Sequence, residues 1–377
     1  MPLSPQHEQI REAVRRYAEA NIAPHAARWD REKLFPKAAL DGLAALGLYG
    51  VAIPEQWGGA GLDYISLALA CEEISAADAA TATIVSVNNL VAGILAGYGS
   101  EAQKQKYLLP LARGETLAAF ALTEPQVGSD AAAITTRAAR EGGQYVLNGV
   151  KQFITSGKNA TLAVVFAVTD RSAGKKGISA FIVPTATPGY VVARVEDKTG
   201  QRASDTAQIV LESCRVPAEN LLSAEGLGYR IALANLESGR INVAAQATGV
   251  ARAALAAAIA YARERKSMGK TLIEHQAVNF RLADMATQVE AARQLYLHAA
   301  QLRDAGAPCM KEASMAKLFA SEMAERVCSD AIQIHGGYGY VTDFPVERLW
   351  RDVRVTQIYE GASDIQRLVI GRMLEEG

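Results

Sequence analysis

Between residues 119 and 222 the chain stops repeating at the helical period. AAFALTEP, TRAAREGGQYVLNGVKQFITSG, ATLAVVFAVTD, GISAFIVPTATPGYVVARVEDKTG and TAQIVLESCRVP are short β-type runs broken by turn residues. No helical run intervenes to carry parallel crossovers, so the strands are expected to close into a compact antiparallel barrel or sandwich. Asn148-Gly149, between QYVL and VKQFIT, reads as a type I′ hairpin.

Helical texture flanks this segment on both sides. Up to residue 118 the chain is rich in Ala and Leu, and GSEAQKQKYLLPLARGE reads as a short capped helix with a Pro-Gly exit. After AEGLGYRIALANLESGR three long helices are expected. The first is INVAAQATGVARAALAAAIAYARERKSMG, the second ends at Gly306, and the third ends at the Gly336-Gly337 pair. A last helix starts near Ser363. The predicted architecture is multidomain α and β: an N-terminal helical domain (1–118), a central antiparallel β-barrel domain (119–222) and a C-terminal four-helix bundle (223–377).

Several function classes lose support. Lys and Arg number 39 against 40 Asp and Glu, a net charge of −1, so no footprint for nucleic acid or an anionic membrane surface is expected. No apolar run of about 18 residues stands out, so membrane insertion is not expected. The start lacks the apolar core of a signal peptide. The four cysteines are scattered without CxxC spacing and the five histidines form no HExxH, so no metal site is expected and reduced thiols in a cytoplasmic protein are the simplest reading.

QIYEGASDIQR places one carboxylate, Glu360, between an aromatic residue and a glycine. Ser363 to Gln366 fits a capping box, and Ile365, Leu368, Val369 and Met373 follow at helical spacing, so Glu360 belongs to the turn before a helix N-terminus. Alone, such a Glu is most simply a solvated loop acid. FALTEPQVGSD (Phe120–Asp130) leaves a strand through a turn with hydroxyl and backbone donors suited to a polar ligand, or to an ordinary loop exit. KQFITSG alone is a half-buried strand. The glycines of IQIHGGYGY close a helix rather than open one, which rejects a dinucleotide fingerprint. RERKSMGK gathers cations at a helix C-terminus, as a solvated end or toward a phosphate.

Taken together and in order, FALTEPQVGSD, KQFITSG, RERKSMGKTLIEHQA, QIHGGYGYVTDFPVERLWRD and IYEGASDIQRLVI resemble the acyl-CoA dehydrogenases, most nearly the short-chain (butyryl-CoA) type, over essentially the whole chain. The resemblance implies bound FAD between the β domain and the bundle, extended across a subunit contact of a homotetramer built as a dimer of dimers. Phe120, Leu122, Thr123, Gly128, Ser129, Phe153, Ile154 and Thr155 would hold the flavin ring, with Thr155 near N5. Arg265, Ser267, Gln276, Gln333, Gly336 and Gly337 would contact a neighbouring subunit's FAD, and Ser363 and Asp364 would touch the same cofactor. Ser129, Glu237, Arg240 and Gly361 match acyl-CoA-contacting positions, and Gln246 and Thr356 match positions that shorten the acyl pocket.

The implied activity is α,β-dehydrogenation of a short-chain acyl-CoA, as in fatty acid β-oxidation. Glu360 would abstract the α-proton while the β-hydride passes to flavin N5, leaving trans-2-enoyl-CoA; electron-transfer flavoprotein would then accept the electrons. Some relatives carry the base at the residue before the bundle arginine, but here that residue is Gly239. Gln126-Val127, Phe153 (where many members have Trp) and Ala362 (where Thr is common) depart from the family pattern. The rival readings are a functionalised, 2-methyl-branched or carrier-protein-bound acyl thioester as substrate, and a catalytically silent scaffold.

Overall fold

A computed structural model of the chain describes residues 3–375. Its first part is helical: α1 (Pro5–Asn21), α2 (Ala23–Glu32), α3 (Lys37–Ala45), α4 (Tyr64–Ala77), α5 (Ala79–Tyr98), α6 (Glu101–Gln103) and α7 (Leu109–Ala112). Ser100 caps α6 through a capping box with Gln103. The expected Pro exit is not where the helix stops. A π turn over Lys104–Leu108 leads into α7, Pro110 sits inside that helix, and the chain turns away at Gly114, whose φ is +76°. The wide turn removes the clash that Pro110 would otherwise make with the preceding turn.

Seven strands follow: β1 (Ala118–Ala121), β2 (Arg137–Glu141), β3 (Gln144–Thr155), β4 (Leu162–Val168), β5 (Ile178–Pro184), β6 (Tyr190–Val195) and β7 (Thr206–Pro217). They form one curled sheet in the order β1-β4-β2-β3-β7-β6, with β5 on β4. The expectation of a wholly antiparallel barrel needs correction. β1 runs parallel to β4, Ala118 opposite Leu162, and a single pair joins β2 to β4 in parallel. The hairpin of β2 and β3 and its connections supply the long crossover that such a pair needs, with one 3₁₀ turn at Ala131–Ala133 and no α-helix. β4 is buried on both faces. Ala163, Val165 and Ala167 face the inside of the sheet with Phe181 and Leu147, while Leu162, Val164 and Phe166 face α5 with Leu95 and Val91.

Asn148-Gly149 is not the hairpin. β3 runs straight through it, and the two-residue turn is Gly142-Gly143, between the paired Glu141 and Gln144. Asn148-Gly149 instead forms a bulge against β7, where Asn148 Oδ1 accepts from the backbone of Ser213. A β-carbon on Gly149 would lie 2.5 Å from Thr136 Oγ1, so close approach explains this glycine.

The C-terminal helices are α8 (Gly228–Glu264), α9 (Gln276–Asp304), α10 (Met310–His335), α11 (Val346–Val353) and α12 (Ser363–Glu375); a small hairpin of β8 (Lys266–Ser267) and β9 (Lys270–Thr271) joins α8 to α9. α8 begins earlier than expected and runs unbroken through Ser238-Gly239. α5 and α8 are long and apolar enough to cross a bilayer, a property the sequence reading missed; 78% and 61% of their most apolar windows are buried in the fold. One apolar cluster runs from Val14 through Ile74, Val250 and Met285 to Val353, so the first and last thirds of the chain share a core. Two buried acids brace it. Glu72 receives Arg293 and Tyr296, while Glu73 receives Arg15 at 2.8 Å and Arg252 at 2.5 Å. Burial works against the charge on Glu72, but Arg293 and Arg252 outweigh it and hold the carboxyl below its ordinary range.

Candidate active site

Glu360 lies three residues beyond a short 3₁₀ segment (Arg354–Gln357) and precedes α12, with a left-handed φ of +53°. That conformation is costly for a residue with a β-carbon, and it turns the carboxylate inward. Oε2 is buried and has no hydrogen-bond partner. Its neighbour is the backbone of α8, where Gly239 leaves the space that the carboxylate enters. Burial raises the Glu360 pKa, and the positive charges of Arg240 and Lys317 oppose that rise only in part. A loop acid left to solvent would show none of these features.

The turn around Glu360 is held from two sides. Lys317 on α10, with no exposed surface, donates from Nζ to the Gly361 carbonyl at 2.7 Å. Gln366 donates to the carbonyls of Glu360 and Gly361 at 3.2 and 2.8 Å. The expected capping box is therefore absent. Gln366 reaches back to carbonyls rather than to an N–H, the first helical bond runs from Gln366 N to the Ala362 carbonyl, and Ser363 Oγ is buried without a partner. Ala362 fits as the cap position itself, a slot that needs only its carbonyl. Gly361 adopts φ +89°, and a β-carbon there would lie 2.6 Å from Gln366 Nε2, so backbone shape alone demands glycine.

The acyl-CoA residues separate. Arg240 is buried beside Glu360 and donates to Ser314 Oγ at 3.1 Å, with Met310 also in contact. Glu237, one turn earlier on α8, makes its ion pair with Arg303 at 2.9 Å, whose guanidinium lies over Tyr64, while its charge still acts on Arg240. Gln246 lies two turns beyond Gly239 on α8 and is 3% exposed. Thr356 is fully buried, and its hydroxyl donates to the Val353 carbonyl at 2.7 Å.

Both expected flavin-facing segments come together. The Gln152 N–H donates to the Thr123 carbonyl at 2.8 Å, and Lys151 Nζ donates to the Leu122 carbonyl at 3.0 Å. Lys151 also pairs with Glu124 at 2.9 Å, both side chains being fully buried. Burial alone would raise the Glu124 carboxyl, but the Lys151 charge and hydrogen bonds from Thr135 and Thr136 pull it down to about 2. Gln126-Val127 completes this knot. Val127 forms a tight bridge with Glu124, and Gln126 Nε2 donates to Thr135 Oγ1 at 2.9 Å. Phe120, Leu122, Thr123 and Thr155 are half-buried, Ile154 is buried, and Gly128 and Ser129 are exposed. Phe153 stands 63% exposed at a left-handed φ of +58°.

Another group of expected contacts lines a separate open cleft of about 620 Å³. Arg265, Ser267, Gly336 and Gly337 share it with Tyr338, Tyr261 and Leu272. Gly336 caps α10 at φ +60°, and a β-carbon on either glycine would meet nothing within 4 Å. Gln276 and Gln333 are exposed on neighbouring helices, and Asp364 is exposed and pairs with Arg367 at 3.4 Å. These surfaces fit FAD. An uncovered aromatic face is held out by strained backbone beside backbone and hydroxyl donors, a glycine-floored cleft carries an arginine suited to phosphate, and Ser363 Oγ is buried and unpaired. Among the described residues no group of three His, Cys, Asp or Glu could hold a metal ion.

Lys317, Lys151, Tyr359, Thr83 and Gln201 were not singled out from sequence. Lys317 had a readable signal, since it falls on the buried α10 stripe of Ala313, Ala316, Ala320 and Ala324. Lys151, Thr83 and Gln201 carried none, because their partners lie 27, 118 and 151 residues away.

Profiles of acyl-CoA dehydrogenases match in chain order: the N-terminal domain at residues 4–115, the middle domain at 119–214 and the C-terminal domain at 226–375. The mouse mitochondrial short-chain specific acyl-CoA dehydrogenase is 50% identical over 97% of this chain and 89% of its own length. The solved butyryl-CoA dehydrogenase of Megasphaera elsdenii is 42% identical, with a TM-score of 0.97 over 100% of this chain and 99% of that one. A chain from a structure described as the electron transferring flavoprotein of Acidaminococcus fermentans is 45% identical, with a TM-score of 0.99 and full coverage of both chains.

Proposed function

The chain belongs to the acyl-CoA dehydrogenase family, and from that premise we propose that it oxidises a short-chain acyl-CoA to the trans-2-enoyl-CoA, with Glu360 as the base that takes the α-proton. The observation that carries this is the unpaired, buried Oε2 of Glu360 lodged against Gly239. A carboxylate stripped of water is a stronger base, and raising its pKa brings it nearer the working pH. Arg240 and Lys317 keep a share of it ionised. Lys317 and Gln366 fix the turn, so the carboxylate does not have to be oriented anew at each turnover.

FAD, when bound, supplies the acceptor for the β-hydride. Phe120 to Ser129 and Phe153 to Thr155 would hold its flavin end. Arg265, Ser267, Gln276, Gln333, Gly336 and Gly337 would hold the FAD of a neighbouring copy, with Ser363 and Asp364 beside it. The preference for short chains is supported by the mouse and Megasphaera relatives, whose names specify short-chain and butyryl-CoA substrates. The test is to add butyryl-CoA to the purified holoprotein without oxygen. Rapid bleaching of the flavin is expected, and a flavin that stays yellow with every short acyl-CoA would sink the reading.

The partner assigned here is an electron-transfer flavoprotein, supported by the Acidaminococcus description and checked by reduction of that protein in a coupled assay. A homotetramer is supported by exposed apolar side chains on α9, α12 and the α8–α9 hairpin (Phe280, Leu368, Leu374, Met268), and light scattering would measure it. A cytoplasmic setting is supported by four buried, unpaired cysteines and would be checked by fractionation, while a role in fatty acid β-oxidation is supported by the acyl-CoA dehydrogenase relatives.

A further inference from the structure

Gln246 belongs to a closed ring of side-chain hydrogen bonds built from four separate parts of the chain. Its Nε2 donates to the Ala79 carbonyl at 2.8 Å and to Thr83 Oγ1 at 2.6 Å. Thr83 Oγ1 donates to Gln201 Oε1 at 2.7 Å. Gln201 Nε2 donates to the Tyr359 hydroxyl at 3.3 Å and to the Asp352 carbonyl at 3.1 Å. Tyr359 Oη closes the ring by donating to Gln246 Oε1 at 2.5 Å. The Thr83 hydroxyl also has the Ala79 carbonyl as an acceptor at 3.1 Å, but the Gln246 amide is consistent in one sense only. Turning the Gln246 amide over would set its oxygen against the Ala79 carbonyl and leave its two donors facing Tyr359, so neither its position nor its orientation is free.

The ring stands at a defined depth. Gly239, beside the Glu360 carboxylate, and Gln246 are seven residues apart on one face of α8, about 10 Å along the helix axis. Tyr359 is the residue before Glu360, so one hydrogen bond ties the base's own turn to that depth. Thr83, Gln201 and Gln246 are 6%, 4% and 3% exposed, so water does not replace a lost partner easily.

We propose that the acyl chain-length limit of this protein is set by the Thr83–Gln201–Tyr359 ring, which locks the Gln246 amide in place, so that these three are specificity-determining positioning residues. This rests on the short-chain reading above and deepens it. With Gln246 at the pocket end, as the family resemblance implies, its bulk excludes a longer chain only while it cannot swing away, and the ring removes that freedom. A single ring member deleted isosterically leaves Gln246 with an unpaired atom and free to move, and the extra space admits added methylenes.

The test compares FAD-loaded wild type with Tyr359→Phe, Thr83→Val and Gln201→Leu, measuring kcat/KM for octanoyl-CoA relative to butyryl-CoA. The expected result is a rise of about tenfold or more in that ratio, through a lower KM for octanoyl-CoA, in each variant that retains flavin. A ratio within twofold of wild type in flavin-loaded Tyr359→Phe or Thr83→Val overturns the inference, and a change confined to melting temperature does the same. Wild type that fails to reduce its flavin with butyryl-CoA defeats the functional reading itself, which an unchanged ratio would not.

Discussion

A β-carbon on Gly239 would lie 2.5 Å from Oε2 of Glu360 and 3.0 Å from its carboxyl carbon. The glycine is therefore the seat of the base, not merely a position where another base is missing. Gly239→Ala should push the carboxylate out of line and lower kcat by about 100-fold with FAD still bound. Stopped-flow flavin reduction reads this directly, and an unchanged rate would show that the carboxylate sits elsewhere.

Glu360→Gln should cut the rate of flavin reduction by about 10²–10⁴-fold. It should also stabilise the fold at neutral pH. The folded pKa of Glu360 is raised by burial, so its protonated form contributes stability that is present at acid pH and lost as pH rises through that pKa. Gln mimics the protonated acid at every pH. Its melting-temperature gain should be clear at pH 8 and vanish in acid.

Lys317→Met removes a buried cation near the base. Burial already lowers the lysine to about 8, with Glu360 opposing that fall, so at neutral pH it still carries most of its charge. Without it the Glu360 pKa rises further, and the acid limb of the kcat profile should move to higher pH. The Gly361 carbonyl also loses its donor, so maximal kcat should drop. A limb that stays in place would refute the electrostatic role.

Lys151→Met leaves Glu124 buried without its cation, which should cost about 3–5 kcal/mol. The Leu122 carbonyl loses a donor in the same stroke, so FAD retention on gel filtration should weaken more than in a surface lysine variant. The double change with Glu124→Gln should recover part of the melting temperature, because the stranded charge is then gone.

The helices at each end and the change of texture near residue 119 were legible because period and turn chemistry are local. Strand partners were not. Asn148-Gly149 satisfies the local grammar of a hairpin, yet β3 runs on through it and its pairing with β7 makes it a bulge. The same limit governs the site. The turn gave Glu360 its place and the resemblance its role, whereas the ion pair that joins the two flavin segments and the ring around Gln246 link residues that are distant in sequence. Ser363 to Gln366 shows the converse error, a local motif matched in letters and used differently, because Gln366 is drawn to two carbonyls that the left-handed turn presents to it.

The shared core between α4 and α8, with Glu72 and Glu73 clamped by arginines from α1, α8 and α9, has a consequence for how the molecule comes apart. Three segments that look separable along the chain are not separable in heat or denaturant. Cutting the backbone near residue 118 would strip the long α8 of its cover, so neither fragment should persist as a folded body. The two helical ends should instead melt in a single transition, with the sheet between them as their tether.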